Sequence, residues 1–91
     1  MVGIVMGPEG GEQPRLRRIH PDSTYERGSA RYSLESIRRM STYEIVDSLT
    51  PNSAEPLTVK LDGRIFDGNT RIKVLQERGY DINTLPRVII R

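Results

Sequence analysis

The sequence predicts an α+β domain in which helices pack on a small mixed sheet, and three stretches carry that prediction. In "LTVKLDGRIF", Leu57, Val59 and Leu61 alternate up to Asp62-Gly63, a preferred pair for a two-residue hairpin turn, with Ile65 and Phe66 beyond it. Between Leu34 and Leu49, and again after Gly68, apolar residues recur at helical spacing. After Pro86, "RVII" is a β-branched run suited to a buried final strand.

Taken in order, residues 1–14 hold four Gly and two Pro without sustained periodicity and offer little burial to offset the entropy of ordering them. They are expected to be a flexible tail, leaving residues 15–91 as a single domain. In "RLRRIHPD", Leu16 and Ile19 flank two arginines and the run stops at Pro21, which predicts a short edge strand. "STYERGSARY" reads as a polar loop. Leu34, Ile37 and Met40 then predict a short amphipathic helix with Ser33 as its N-cap.

Ser41 and Glu44 have the capping-box spacing, so a second helix carries the stripe Ile45, Val46 and Leu49 and ends at Thr50-Pro51. The hairpin follows, and then a third helix with Ile72, Val74 and Leu75 facing the core and Gly79 at its C-terminal end. The predicted order over residues 15–91 is β, α, α, β, β, α, β.

The bulk composition narrows the functions open to the chain. Its 91 residues bury only about 60–65% of their unfolded surface, enough for one core. The absence of cysteine excludes disulfides, thiolate metal sites and cysteine nucleophiles. A net charge of +2 is compatible with an anionic ligand without requiring a nucleic acid. No apolar run approaches the ~20 residues of a membrane span, and the N-terminus lacks the features of a signal peptide, so a cytoplasmic protein with no membrane partner is expected.

The chemistry concentrates where the hairpin meets the third helix, in "IFDGNTRIKVL". The first amides of a helix lack intrahelical partners and lie at the positive end of its dipole, so they attract phosphate. Gly68 permits close backbone approach, Asn69 or Thr70 can cap the helix or donate hydrogen bonds, and Arg71 brings a fork of donors able to take two phosphate oxygens. Lys73 lies on a different helix face. Spacing alone favours an ordinary turn with Asn69 as cap and Arg71 in solvent. Asp67 would repel a phosphate unless a cation bridges them, and it is equally suited to bind Mg²⁺ beside one.

The segment from Glu55 to Ile90 resembles the ParB/sulfiredoxin-like superfamily, whose members run strand, turn, strand, Gly-x-x-Arg, helix, Gly and a last strand after a Leu-Pro element. With "RLRRIHPD" and the helices between Leu34 and Leu49, the resemblance covers about three quarters of the chain, on a short signature. It implies a ParB/sulfiredoxin-like fold with Gly68, Asn69, Thr70 and Arg71 in the phosphate-binding turn, and beside it Asp67 is, on its own chemistry, the candidate metal ligand. The implied ligand is a nucleoside triphosphate of the ATP or CTP type with Mg²⁺, either simply bound or used in hydrolysis or phosphoryl transfer.

Two departures from the family pattern narrow this further. Asn69 stands where sulfiredoxins carry their cysteine, which removes that activity. Thr70 replaces a histidine found in many relatives. No recognition helix remains for reading DNA sequence, so DNA clamping of the partition-protein kind is not expected. Two alternatives stay open, namely a nucleic-acid-binding ParB-like nuclease or toxin, and a non-catalytic toxin-antitoxin module completed by a partner protein or a second copy.

Other residues carry less. His20, the only histidine, reads more readily as a surface residue than as a catalyst. The arginines at 15, 17, 18, 38 and 39 can steer anions but are of the kind usually solvated. The dispersed tyrosines 25, 32, 43 and 80 form no stacking platform in sequence.

Overall fold

The computed structural model describes residues 3–6 and 14–90. The α+β class is as the sequence predicts. Four strands, β1 (Gly3–Met6), β2 (Thr58–Val59), β3 (Ile65–Asp67) and β4 (Arg87–Ile90), form one sheet in the order β1-β4-β2-β3. β4 pairs antiparallel with β1 and parallel with β2, and β2 pairs antiparallel with β3, so the sheet is mixed. Three helices accompany it: α1 (Gly28–Arg38), α2 (Thr42–Ser48) and α3 (Asn69–Glu77). Leu34, Ile45, Leu49, Leu57, Val59, Ile65, Ile72, Leu75 and Ile89 belong to one buried cluster, so helices and sheet share a single core.

The N-terminal expectation needs correction. Gly3–Met6, assigned to the tail, are an edge strand whose backbone pairs with β4 from Gly3↔Ile90 to Met6↔Arg87. An apolar "GIVM" segment supplies β4 with a second neighbour, and that pairing outweighs the glycine content around it. Residues 1, 2 and 7–13 of the expected tail lie outside the described residues. Among the described residues of 15–91 the expected first strand is absent, and the strand that opens the order is β1, from the segment expected to be tail.

"RLRRIHPD" makes only a single parallel bridge, Arg17 with Arg64. Two of its other amides are claimed by side chains: Leu16 N donates to Asn83 Oδ1 at 2.9 Å and Ile19 N donates to Asn69 Oδ1 at 3.0 Å. Strand pairing cannot continue where side-chain amides have taken the donors.

The polar stretch read as a loop is instead a 3₁₀ helix over Asp22–Glu26 followed directly by α1. Tyr25 is buried, and Ala30 extends the Leu34 and Ile37 stripe one turn toward the N-terminus, which gives the earlier start its apolar support. Ser33 is therefore an interior helical residue rather than an N-cap. α2 has the expected capping box: Ser41 Oγ accepts from Glu44 N at 3.1 Å and Glu44 Oε1 accepts from Ser41 N at 3.0 Å.

The hairpin is real, but its loop has three residues, Leu61, Asp62 and Gly63. Lys60 N donates to Arg64 O at 2.8 Å and Gly63 N donates to Lys60 O at 3.0 Å, the pattern of a turn closed by a glycine bulge. Leu61, expected on the inward face, is thereby carried into the loop and exposed. A second irregularity lies in β3. Thr58 pairs with Asp67 and Val59 with Ile65, which leaves Phe66 as the extra residue of a β-bulge.

α3 ends as predicted. Gly79 has φ 77°, Gly79 N donates to Gln76 O at 3.0 Å, and Tyr80 N donates to Leu75 O at 3.0 Å, the two bonds of a Schellman motif. Arg87 opens the final strand as a buried cation whose guanidinium donates to the carbonyls of Pro14, Asn83 and Leu85. Those carbonyls satisfy a group that would otherwise be costly to bury.

Candidate functional site

α3 starts at a glycine that only a left-handed backbone can serve. Gly68 is its N-cap at φ 113° and ψ 6°, with no side chain capping the helix. The first intrahelical bond is Ile72 N to Gly68 O at 2.9 Å, so the amides of Asn69, Thr70 and Arg71 precede the hydrogen-bonded ladder. This terminus opens onto a cavity of about 530 Å³, within the usual range for small-ligand sites.

The residues predicted for phosphate binding all line this cavity, but they do different work. The Asn69 side chain is committed to the fold, because its Oδ1 accepts from Ile19 N and its Nδ2 donates to Ile65 O at 3.0 Å. It fastens the segment before the 3₁₀ helix to the start of β3, and it does not cap α3. Thr70 is half-buried, and its hydroxyl lies 3.4 Å from the Tyr25 hydroxyl.

Arg71 is almost fully buried and is shared between two roles. Its Nη1 donates to Ser48 O at 2.9 Å and to Ser48 Oγ at 3.2 Å, satisfying a carbonyl at the C-terminal end of α2. Its Nη2 has Asp67 Oδ1 at 3.9 Å, beyond hydrogen-bond reach, as its nearest acidic partner among the described residues. A methyl group on Gly68 would stand 3.6 Å from that nitrogen, so Nη2 lies beside the helix terminus. One arm of the guanidinium is thus anchored, and the other has donors to spare at the helix start. Burial pulls the Arg71 guanidinium below its ordinary range, opposed by the carboxylates of Asp67 and Glu55. It remains a cation at neutral pH.

Asp67 is exposed at the cavity wall, and Glu55, which sequence reasoning did not single out, lines the same cavity. Two carboxylates beside an uncapped helix start are a donor set suited to Mg²⁺, which binds through one or two carboxylates with phosphate oxygens and water. Among the described residues no group of three potential metal ligands comes together. A cation there would therefore depend on its anionic ligand for part of its coordination.

His20 also reaches this cavity, brought there by the Asn69 contact to its neighbour Ile19. Lys73 points away and is held by Asp22 at 3.3 Å and Glu77 at 3.5 Å. The arginines that could steer anions are largely paired: Arg18 with Asp22 at 2.9 Å, Arg17 with Asp62 at 3.4 Å, and Arg38 Nε donating to Glu77 at 3.0 Å. Those partners hold the Asp22, Asp62 and Glu77 carboxyls below the usual carboxylate range, through hydrogen bonds from Arg18, from the Arg64 backbone and from Arg38 respectively.

The remaining walls come from residues that sequence reasoning left out of the site. α1 contributes Tyr32, Ser33 and Ser36, and β3 contributes Phe66. In the sequence Tyr32 falls in the stretch read as a loop and Ser33 at the expected N-cap, Ser36 lies between the apolar positions of the helical stripe, and Phe66 reads as an ordinary strand residue. No helix among the described residues is long and apolar enough to cross a membrane. No protein-family model, curated protein or solved structure matches this chain.

Proposed function

We propose that this chain is a ParB/sulfiredoxin-like domain that binds a nucleoside triphosphate through its phosphates at Gly68–Arg71. The observation that carries the reading is the coincidence of three features in one cavity: an uncapped helix start behind a left-handed glycine, an arginine with one arm free, and carboxylates able to share a cation. The order of strands and helices supports the fold assignment. In this reading the amides after Gly68 and Arg71 Nη2 hold phosphate oxygens. Thr70 supplies a hydroxyl, and Asp67 with Glu55 completes the coordination of Mg²⁺. Asn69 shapes the turn without touching the ligand. The geometry supports binding and charge stabilisation, the two contributions on which phosphoryl transfer chiefly depends. The nucleic-acid alternative has less support, because Arg17, Arg18, Arg38 and Lys73 are engaged by carboxylates of the same chain.

Calorimetric titration of ATP, CTP and GTP with Mg²⁺ tests this, using Arg71→Ala as the control. Arg71 also holds α2, so a melting curve for that variant is needed first, and Thr70→Val serves as a second probe that leaves the α2 contact alone. Saturable binding that weakens in both variants is expected. Flat titrations with the wild-type chain, or equal weak signals from all three proteins, would overturn the proposal.

A further inference from the structure

The phosphate turn occupies only one side of its cavity, and two large aromatic side chains face the same space. Tyr32 on α1 is 72% exposed and Phe66 on β3 is 54% exposed, yet both line the cavity that Gly68 and Arg71 line. Phe66 is the only phenylalanine in the chain, and it stands outside the core cluster. Its outward position follows from strand alternation, since Ile65 before it is buried, and the shifted register opposite β2 leaves Phe66 without a pairing partner. Lys60 Nζ lies 5.4 Å from the centre of its ring, a cation–π contact that helps hold the ring outside the core. Leaving such rings in water forgoes the burial that aromatic residues ordinarily contribute.

We infer that Tyr32 and Phe66 form a ring-binding wall, so that the cavity takes a phosphate ester carrying a planar heterocycle, with the ring against these two residues and the phosphates at Gly68–Arg71. The inference rests on the phosphate reading above and extends it to the rest of the ligand. Aromatic faces accept any flat ring, so the wall supplies affinity for a base without selecting among bases. The cavity also holds hydrogen-bonding groups, the hydroxyls of Ser33 and Ser36 and the carboxylate of Glu55. The two serine hydroxyls can meet the polar edge of such a ring, while Glu55 stays with the cation at the phosphate end.

The test compares inorganic tripolyphosphate with CTP and ATP, each with Mg²⁺, on the wild-type chain and on Phe66→Leu, Tyr32→Ser and the double variant. Both positions are exposed, so the variants should fold, and their melting curves verify it. The wild-type chain should bind nucleotides at least about tenfold more tightly than tripolyphosphate, the size expected for one stacked base. That gap should close in the double variant while tripolyphosphate affinity stays unchanged. With ring-labelled phenylalanine, the single Phe66 spin system should shift on adding nucleotide and stay put on adding tripolyphosphate.

Equal wild-type affinities for nucleotide and tripolyphosphate would remove the ring wall and leave the phosphate site standing. So would a nucleotide preference that both substitutions leave intact. Nucleotide binding abolished by the ring variants but indifferent to Arg71→Ala would keep the wall and remove the phosphate reading. No binding of either ligand would overturn both.

Discussion

Replacing Gly68 by alanine should cost much more than replacing Gly79 by alanine, although both residues have positive φ, 113° and 77° respectively. At Gly79 a new Cβ would meet no heavy atom within 4 Å, so the cost is conformational only, about 1 kcal/mol for an L residue in the left-handed region. At Gly68 the same methyl group would lie 3.2 Å from Leu57 Cδ1 and 3.3 Å from Leu49 Cδ2. Both leucines are essentially fully buried, at 0% and 1% exposure, and neither can give way without disturbing the core. Overpacking of this kind adds ~1–3 kcal/mol. Gly68→Ala should therefore lose about 2–4 kcal/mol in total, two to four times the loss at Gly79.

Urea denaturation followed by far-ultraviolet circular dichroism measures both losses, with an unchanged m-value showing that stability alone has moved. Arg71 Nη2 would be in ordinary contact with the new methyl group at 3.6 Å, so the variant tests the fit of the turn without expelling the guanidinium. If the two variants lose equal stability, the close seating of Gly68 between the leucines is refuted. The site would then lose the physical reason for having glycine there beyond its backbone angle.

Two further outcomes follow from the same contacts. Asn69→Asp keeps the acceptor for Ile19 N but turns the donor to Ile65 O into a second acceptor, so two oxygens face each other in a buried place; a loss of about 2–3 kcal/mol at neutral pH is expected by urea titration. The carboxyls of Asp22, Asp62 and Glu77 titrate below their ordinary range in the folded chain, so the stability they lend is present at neutral pH. It is lost as the pH falls below about 4, where the unfolded chain takes up protons first. Denaturation midpoints at pH 7 and pH 3 should show that drop, and Glu77→Gln should make it smaller.

The features legible in advance were those encoded within a few residues. The capping box of α2 needs only Ser41 and Glu44, and the end of α3 needs only a glycine at position 79, so both stand as read. The loop of the hairpin was placed correctly and miscounted by one residue, because Asp-Gly suits both a two-residue turn and the last two positions of a three-residue one. The early start of α1 was missed for a different reason. Tyr25 and Ala30 show their apolar role only when a core exists to receive them.

By itself the sequence determined the α+β class, the third helix with its glycine at each end, and the turn formed by Gly68, Asn69, Thr70 and Arg71 at the start of that helix. These follow from backbone geometry and hydrogen bonds between near neighbours. Only the tertiary structure decided that Gly3–Met6 is a strand, that Asn69 serves the fold, that Arg71 divides its donors between α2 and the helix start, and that Tyr32, Glu55 and Phe66 share its cavity. Each of these depends on partners far away in the chain, and no local pattern records which distant carbonyl or ring a side chain will meet once the core has closed.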